Sequence, residues 1–336
     1  MIIVCIFNQS KLIAQSHANF DDYGIISIMY HRFEENKYPS TNIKLEVFKE
    51  QLKIIQSENI QFVNPGEFKK NLSDKKKDRK VLLTIDDGLM SFYKNAWPIL
   101  REREIPFILF VNTREVGSFN YMNWDQIKEL AKYKYVFIGN HSHSHEYLVE
   151  EDSETIKNDL IKSKQLFKDN LGKNSIFFSY PFGEYSTEFK KIVKDLGFEY
   201  AFGQHSGVID ETKDLWELPR FPINEKYGEI KRFKTLMKTL PLKYKKITPE
   251  DKYLLQSDNP PKVTINFFNI DKLKNINCFS NEGNEWRNSE IYLNENILEI
   301  KIQEKFIGER GRINCSLKEN NGFWRWLGIQ FVVADK

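Results

Sequence analysis

Short apolar runs alternate with amphipathic segments from Ile25 to about Ile223, and this alternation limits the possible folds more than any other feature. The apolar runs are IISIMYH (25–31), VLLTID (81–86), FILFVN (107–112), YVFIGN (135–140), IFFSYP (176–181) and YAFG (200–203). Repeated strand–helix units are typical of a parallel sheet covered by helices. Periodicity alone leaves open whether the sheet closes into a barrel.

The segments between these runs have apolar residues three and four positions apart, which predicts helices. They are LEVFKEQLKIIQSE (45–58), MSFYKNAWPILRER (90–103), NWDQIKELAKY (123–133), ETIKNDLIKSKQLFKDNL (154–171) and TEFKKIVKDLG (187–197). Gly172 and Gly197 stand where helices commonly end on glycine. The near-continuous apolar strands indicate a sheet that is buried on both faces.

The pattern changes in the C-terminal third of the chain. Residues 241–262 are rich in lysine and proline and are predicted to be a linker after an α/β domain at 19–240. Beyond the linker, short β-prone runs such as KVTINFFNI and ILEIKIQ predict a small all-β domain at 263–336. Cys278 and Cys315 both lie in this segment and permit one disulfide.

Charge and hydropathy exclude some partners. With 50 basic and 47 acidic residues, the net charge of +3 gives no electrostatic reason to expect a nucleic-acid partner. No run is long enough for a transmembrane helix. The apolar run Met1–Phe7 and the small residues near Ala18 predict a signal peptide at 1–18, and hence periplasmic or extracellular export. A cytoplasmic location stays open because no basic residue precedes Lys11. The oligomeric state is not indicated.

Polar side chains follow the predicted strands. Asp86 and Asp87 end one strand, and His141, His143 and His145 follow another. The carboxyl ends of parallel strands meet at one edge of a sheet, so we expect these groups to lie close together. Imidazoles with a carboxylate predict a divalent metal site, and a neighbouring carboxylate could accept a proton from water. The alternative for Asp-Asp-Gly is an ordinary turn.

Three motifs resemble those of the polysaccharide deacetylase family (NodB-homology domain, carbohydrate esterase family four). TIDDG (84–88) is similar to T-F-D-D-G, HSHSH (141–145) to H-S-x-x-H, and YPFG (180–183) to a third motif that is usually R-x-P-Y-G. The resemblance covers about residues 25–225 and does not extend to the C-terminal segment. ISIMYHRF and YPFGEYS resemble the branch that includes the poly-N-acetylglucosamine deacetylases.

The resemblance implies a distorted (β/α) barrel that removes N-acetyl groups from a polysaccharide, a hydrolysis of non-peptide C–N bonds. It implies that Asp86 is the general base and that Asp87, His141 and His145 bind the metal. The metal is commonly zinc, with Co²⁺, Ni²⁺ or Fe²⁺ as alternatives. The backbone N–H near Phe182 would stabilise the oxyanion.

Two departures from the family pattern leave residue roles open. The third motif lacks its usual arginine, and Arg220 could replace it from a later strand. The late Leu-x-His motif, which supplies the general acid, has no clear match, so His205 and His31 are the candidates. His143 lies between the predicted ligands and is expected to be a bystander.

Further residues are candidates for substrate contacts. In the catalytic segment they are His31, Tyr180, Pro181, Phe182, Gly183 and Trp216, of which Trp216 could equally pack in the core. The C-terminal aromatic residues, such as Trp286, Trp324 and Trp326, favour core packing over glycan binding, and both remain open.

Two other functions stay open at this point. The missing arginine would suit a catalytically weak glycan-binding protein on the same fold. A hydrolase of O-acetyl esters or of another C–N bond would use the same residues.

Overall fold

The structure is a computed structural model that describes residues 23–74, 78–268, 270 and 273–334. The predicted signal peptide at 1–18 lies outside these residues. The strands of the first part are β1 (Ile25–Tyr30), β2 (Arg32–Phe33), β3 (Asn42–Ile43), β4 (Gln61–Phe62), β5 (Lys80–Ile85), β6 (Phe107–Val111), β7 (Val136–Asn140), β8 (Phe177–Ser179), β9 (Tyr200–Phe202), β10 (Val208–Ile209) and β11 (Phe221–Pro222). The helices are α1 (Leu45–Ser57), α2 (Phe68–Ser73), α3 (Trp97–Glu102), α4 (Trp124–Ala131), α5 (Ser153–Leu171), α6 (Thr187–Asp195) and α7 (Ile230–Leu236).

The six predicted strands lie in one sheet with the order β10-β1-β5-β6-β7-β8-β9, in which the edge strand β10 was not predicted from the sequence. Neighbours from β1 to β9 in this order are parallel, and both β1 and β5 are buried along their whole length. The predicted helices also form, with one difference. The helix predicted at 90–103 begins as a π-helical turn, Phe92–Ala96, because Pro98 at the start of α3 has no N–H to continue an α-helical ladder.

Residues 218–222 close the sheet into a distorted barrel. Leu218 accepts a hydrogen bond from Gly203 N–H (2.9 Å) and donates one to the Ala201 carbonyl (2.8 Å), so it pairs with the end of β9. Phe221, three residues later, pairs in parallel with Ile28 of β1. The segment therefore spans the gap between the two edges of the sheet and directs the residues between these contacts towards the barrel.

The C-terminal part is built from ten further strands within the described residues. They are β12 (Thr239–Pro241), β13 (Tyr244–Thr248), β14 (Tyr253–Leu254), β15 (Val263–Phe267), β16 (Asn277–Ser280), β17 (Arg287–Asn288), β18 (Glu290–Asn294), β19 (Ile297–Lys301), β20 (Arg310–Lys318) and β21 (Trp324–Val333). One sheet has the order β12-β21-β20-β16-β17 with β14 beside β21, and the other has the order β13-β15-β19-β18. Between them lies an apolar core that contains the Cys278–Cys315 disulfide, which links β16 to β20.

The segment predicted to be a linker, 241–262, is not free of regular structure. Its strands β13 and β14 hydrogen bond to β15 and β21, and β12 pairs with β21 just before them. The sequence did not indicate these strands because they are short, and β12 and β14 pair with β21, about 80 residues later. Lys245 and Lys246 are exposed on β13, and lysine is common on edge strands.

The C-terminal sheet packs directly on the barrel. The Gly328 N–H donates to the Ser206 carbonyl (2.6 Å), and a Cβ atom at residue 328 would lie 2.4 Å from that oxygen. The glycine is therefore what allows the two backbones to approach so closely. Trp326 packs edge-on against Phe221, with ring centroids 6.2 Å apart. No helix in the described residues is long and apolar enough to cross a membrane.

Candidate active site

Three side chains from two strand ends converge at the carboxyl edge of the barrel. Nε2 of His141 and Nε2 of His145 lie 3.6 and 3.5 Å from Oδ1 of Asp87. Their candidate ligand atoms all lie within 4.8 Å of one another. Two imidazole nitrogens and one carboxylate oxygen form a donor set that suits a catalytic divalent metal with positions left for water and substrate.

The protonation of His141 and the unpaired donor atoms of the cluster suit metal binding. The Nδ1 atom of His141 lies 2.7 Å from the Ser179 carbonyl, which fixes the N–H at Nδ1 and leaves Nε2 with its lone pair. Nε2 of His141 and Oδ1 of Asp87 are buried without a hydrogen-bond partner among the described residues. Burial lowers the pKa of His141 to about 4, although the Asp86 carboxylate opposes this shift, so the ring is neutral at pH 7.

The local backbone turns sharply to bring these groups together. Asp87, Ser142, His145 and Phe182 all have positive φ values, of 76°, 66°, 55° and 57°. Left-handed backbone at residues other than glycine is uncommon and often accompanies functional sites. At this edge of the barrel it occurs at two of the three predicted ligands.

The loop that carries the histidines is held by a carboxylate from α5. The Asp159 carboxylate accepts hydrogen bonds from the backbone N–H groups of His143 (2.7 Å) and Ser144 (2.9 Å). Ser142 Oγ accepts another from the His145 N–H (3.0 Å). Asp159 was not found from the sequence, because a carboxylate within an amphipathic helix gives no signal of what it contacts.

His143 lies apart from the candidate ligand atoms. Its Nδ1 atom is 2.9 Å from Oγ1 of Thr113, and it does not belong to the cluster of Asp87, His141 and His145. The alternate spacing of the three histidines therefore does not place them on one face, because the loop is not an extended strand.

Arg220 binds Asp86 in the barrel interior. Its guanidinium donates to both carboxylate oxygens, at 2.7 and 2.9 Å, and also to Oγ of Ser179 at 2.8 Å. Both Arg220 and Asp86 are fully buried. Burial alone would raise the pKa of Asp86, but the Arg220 charge outweighs it and lowers the pKa to about 2. Asp86 is therefore a carboxylate at neutral pH.

A cleft of about 840 Å³ opens over these residues. Of the sequence candidates, it is lined by His31, Asp87, His145, Phe182 and His205. The Phe182 ring stacks on Tyr147 at 4.1 Å and lies 4.8 Å from the ring of His145. Phe182 is thus fixed at the cleft wall beside a predicted metal ligand.

Tyr180 and Trp216 do not reach the cleft. Tyr180 is fully buried and donates its hydroxyl to the Trp216 carbonyl (2.9 Å), while the Trp216 indole donates to the Phe198 carbonyl (2.9 Å). Both pack in a core beside α6. The structure therefore does not place them as substrate contacts, because neither residue lines the cleft.

Pro181 and Gly183 are buried in the turn on either side of Phe182. Gly183 has φ of 72°, and a Cβ atom there would lie 2.3 Å from the side chain of Gln204. These two residues shape the backbone around Phe182 and do not line the cleft themselves.

His31 and His205 both line the cleft, on the barrel side. Nδ1 of His205 is buried without a hydrogen-bond partner in the described part of the chain. Burial lowers the pKa of His205 to about 3, and the positive charges of Lys252 and Lys213 act in the same direction. His205 is therefore neutral at pH 7.

The cleft has a second wall that the sequence did not predict. It comes from the C-terminal sheet and includes Phe279, Trp286, Arg310, Arg312, Asn314, Trp326 and Gln330. The only available signal was the alternation in RGRINCSL (310–317), where every second residue is polar or charged.

Known proteins share the sequence pattern of the barrel. Residues 73–201 match the family model described as polysaccharide deacetylase. The chain is 27% identical over 216 residues to poly-beta-1,6-N-acetyl-D-glucosamine N-deacetylase of Staphylococcus aureus, a match that covers 59% of this chain and 73% of that protein.

Solved structures share the fold. Deacetylase PplD of Streptococcus pyogenes, in complex with acetate, has a TM-score of 0.59 at 23% identity and covers 64% of this chain and 99% of its own. IcaB from Ammonifex degensii has a TM-score of 0.59 at 24% identity and covers 64% of this chain and 97% of its own. About a third of this chain therefore lies outside each match.

Proposed function

We propose that this chain, which belongs to the polysaccharide deacetylase family, is a metal-dependent hydrolase that removes N-acetyl groups from a polysaccharide. One observation carries the proposal. A cluster of Asp87, His141 and His145 lies at the mouth of a barrel, beside an Asp86 carboxylate that Arg220 keeps ionised.

The metal would be held by Asp87, His141 and His145. When bound, a divalent ion supplies Lewis acidity that polarises the acetamide carbonyl and makes a water molecule more acidic. Two imidazole nitrogens and one carboxylate oxygen favour Zn²⁺, and Co²⁺, Ni²⁺ or Fe²⁺ could use the same atoms.

The protein's own groups would then move the protons. Asp86 is ionised at neutral pH and lies with Oδ2 3.9 Å from His141 Nε2, so it is placed to accept a proton from the attacking water. Arg220 fixes the orientation of that carboxylate through two hydrogen bonds. The backbone N–H of Phe182, in its left-handed turn, would donate to the developing oxyanion.

The leaving amine needs a proton donor, and two histidines line the cleft. His205 is neutral at pH 7 because burial lowers its pKa to about 3. This favours His31, which faces the same cleft, as the general acid.

We infer from the Staphylococcus aureus relative that the substrate contains N-acetylglucosamine. The direct test is acetate release from β-1,6-linked N-acetylglucosamine oligomers by the zinc-loaded protein. O-acetylated xylan serves as the comparison. Release from the N-acetyl oligomers supports the proposal, whereas release from xylan alone would replace it with an esterase.

The contact between Arg220 and Asp86 weighs against a catalytically weak glycan-binding protein. The reason to consider that function was the missing arginine of the third motif, and Arg220 supplies a guanidinium to the Asp86 carboxylate. A protein that only held glycan would not need a buried ion pair beside a set of metal-binding groups, since burying charges is costly.

We also infer that the protein acts outside the cytoplasm, with the β-rich C-terminal part as an accessory domain. The Cys278–Cys315 disulfide supports this inference, because disulfides persist in oxidising compartments. The signal peptide at 1–18 stays a prediction. Strands β12 to β14 pair with the C-terminal sheets, so such a domain would start near residue 239, before the predicted 263.

Replacing Arg220 with alanine should lower both activity and stability without releasing the metal. The buried Asp86 carboxylate would lose its partner, which typically costs about 3–5 kcal/mol of unfolding free energy. Its pKa would rise, because burial would no longer be opposed by the guanidinium, so the acidic limb of the pH–rate profile should move to higher pH.

Urea unfolding, metal content and the pH profile measure these three effects. Arg79→Ala is the control, because Arg79 pairs with Glu58 away from the cleft. An unshifted pH profile in the folded Arg220→Ala protein would remove Arg220 from the site.

A further inference from the structure

One face of the C-terminal sheet lies over the metal-binding residues and forms the opposite side of the cleft. We call this face the sheet wall and define it by Phe279, Trp286, Arg312, Asn314, Trp326 and Gln330, all of which line the cleft. Asp87, His145 and Phe182 line it from the barrel side. A polymer bound at the metal site would therefore contact both parts of the chain.

Strand alternation explains why these residues share a face. Along β20, Arg312 and Asn314 are partly exposed, whereas Ile313 and Cys315 are buried in the core between the two C-terminal sheets. The register pairs Arg312 with Gln330 of β21 and Asn314 with Phe279 of β16. Side chains of paired residues point to the same side of a sheet, so these groups form a continuous surface.

Specific contacts fix the position of the sheet wall. The Gly328–Ser206 backbone contact anchors β21, and Arg310 forms an ion pair with Glu184, which is buried next to the third motif. Asp251 also accepts hydrogen bonds from Thr187 N–H (3.1 Å) and Oγ1 (2.7 Å) at the start of α6. The wall is thus preorganised relative to the metal-binding groups, which reduces the cost of binding a ligand between them.

The cleft carries an excess of positive charge. Lys226, Arg232 and Arg312 line it, and none of the three forms an ion pair with a carboxylate among the described residues. The one carboxylate in the lining is Asp87, which a metal ion would neutralise. The chain as a whole has a net charge of only +3, so this concentration of cations is local.

The surroundings of Arg312 show a guanidinium that is oriented but not neutralised. Its Nε donates to Oε1 of Gln330 (3.3 Å), which holds the side chain along the wall. Glu184, a carboxylate whose charge acts on Arg312, forms an ion pair with Arg310. Arg312 therefore keeps its terminal N–H groups for a ligand in the cleft, and the planar guanidinium suits a carboxylate or phosphate.

We propose that the sheet wall is a substrate subsite and that Arg312, with Lys226 and Arg232, binds an anionic substituent of the N-acetylated polysaccharide. The substituent would be a carboxylate or phosphate group on a sugar near the one that is deacetylated. Trp286, half exposed at 50%, offers a ring face on which a neighbouring sugar can stack. This inference rests on the proposed function and narrows its substrate to an acidic polymer.

The charge of the cleft also has a consequence for the product. Deacetylation converts a neutral amide into an amine that is partly protonated at neutral pH. A positive cleft repels that ammonium group, and it discriminates against polymers that are already deacetylated. Both effects weaken as salt rises, because exposed charges are screened.

The test compares two substrates that differ in an anionic substituent: β-1,6-linked N-acetylglucosamine oligomers, unmodified and partially O-succinylated. We expect kcat/KM to be about tenfold higher for the succinylated oligomer at low salt, corresponding to about 1.4 kcal/mol. Arg312→Gln should remove this preference through KM, with kcat unchanged. Equal kcat/KM for the two oligomers, or an equal loss on both in Arg312→Gln, would overturn the proposal.

Two further variants keep the test independent of folding defects. Lys226→Gln changes an exposed cleft residue and should reduce the preference in part. Lys318→Gln is the matched control, because Lys318 lies on β20, the strand that carries Arg312, and is exposed outside the cleft lining. It should leave the preference intact.

Direct binding separates this inference from the proposed function. Isothermal titration of the full chain with the succinylated oligomer should show affinity that falls with salt and falls in Arg312→Gln. If neither oligomer releases acetate but this binding is seen, the proposed function fails and the subsite stands. If acetate is released but the affinity for the succinylated oligomer changes neither with salt nor in Arg312→Gln, the proposed function stands and only the subsite proposal fails.

Discussion

Asp86→Asn should reduce acetate release by about 10²–10⁴-fold, because an amide cannot accept the proton that the carboxylate takes from water. Asparagine has nearly the same shape, and Asp86 is not among the three clustered residues proposed to bind the metal, so metal content should not change. Steady-state kinetics with metal analysis on the same sample measures both. A folded, fully loaded variant with near-normal kcat would show that Asp86 is not the base.

Stability must be followed in the same experiment. Asp86→Asn leaves the buried Arg220 guanidinium without its counter-charge, and breaking a buried ion pair can cost about 3–5 kcal/mol. Asp210→Asn is the matched control, because Asp210 is also buried and paired with a lysine, Lys213, but does not line the cleft. It should lose stability without a comparable loss of kcat.

His141→Ala and His145→Ala should each weaken metal binding by more than about 100-fold. Even changes to groups that only support a ligand cost about 10–100-fold in affinity, and these changes remove a ligand itself. Activity should fall in parallel and should not be restored by modest excess metal. Titration with Zn²⁺ and elemental analysis after dialysis provide the measurement.

His143→Ala is the internal control for the histidine variants. The side chain contacts Thr113 and not the metal-binding atoms, so the variant should keep its metal and lose only about 1 kcal/mol for one hydrogen bond. The contact that holds the loop, from the backbone N–H of His143 to Asp159, is retained in the alanine variant. Metal loss in His143→Ala equal to that in His141→Ala would contradict the assignment.

Local features of the sequence were enough to predict six of the nine strands in the barrel sheet. Six apolar runs became six buried or largely buried strands, because a strand buried on both faces needs apolar residues at nearly every position. The strand ends then placed Asp87, His141 and His145 at one edge, since parallel strands share a direction. The family motifs separated His143 from the two ligands, and the structure sets it apart in the same way.

Features that depend on distant contacts were harder to predict. Tyr180 and Trp216 were candidates for substrate contact, but Tyr180 is buried in an apolar core and Trp216 packs partly buried against the same core. Aromatic side chains serve equally well in cores and in binding sites, so the sequence could not separate the two roles. The sequence also did not indicate the strands in residues 239–254, because their pairing depends on distant parts of the chain. They are short edge strands whose partners lie as late as β21.

The sequence by itself indicated the chemistry at the ends of two strands: the Asp86–Asp87 pair, the two histidines predicted to bind a metal, and the parallel sheet that brings them together. Only the tertiary structure decided that Arg220, 134 residues after Asp86, binds that carboxylate and that the C-terminal sheet covers the cleft. Periodicity and motifs reflect interactions between residues that are close together in the sequence. The closure of the barrel at residues 218–222 and the docking of β21 depend on the packing of whole layers, which no local pattern specifies.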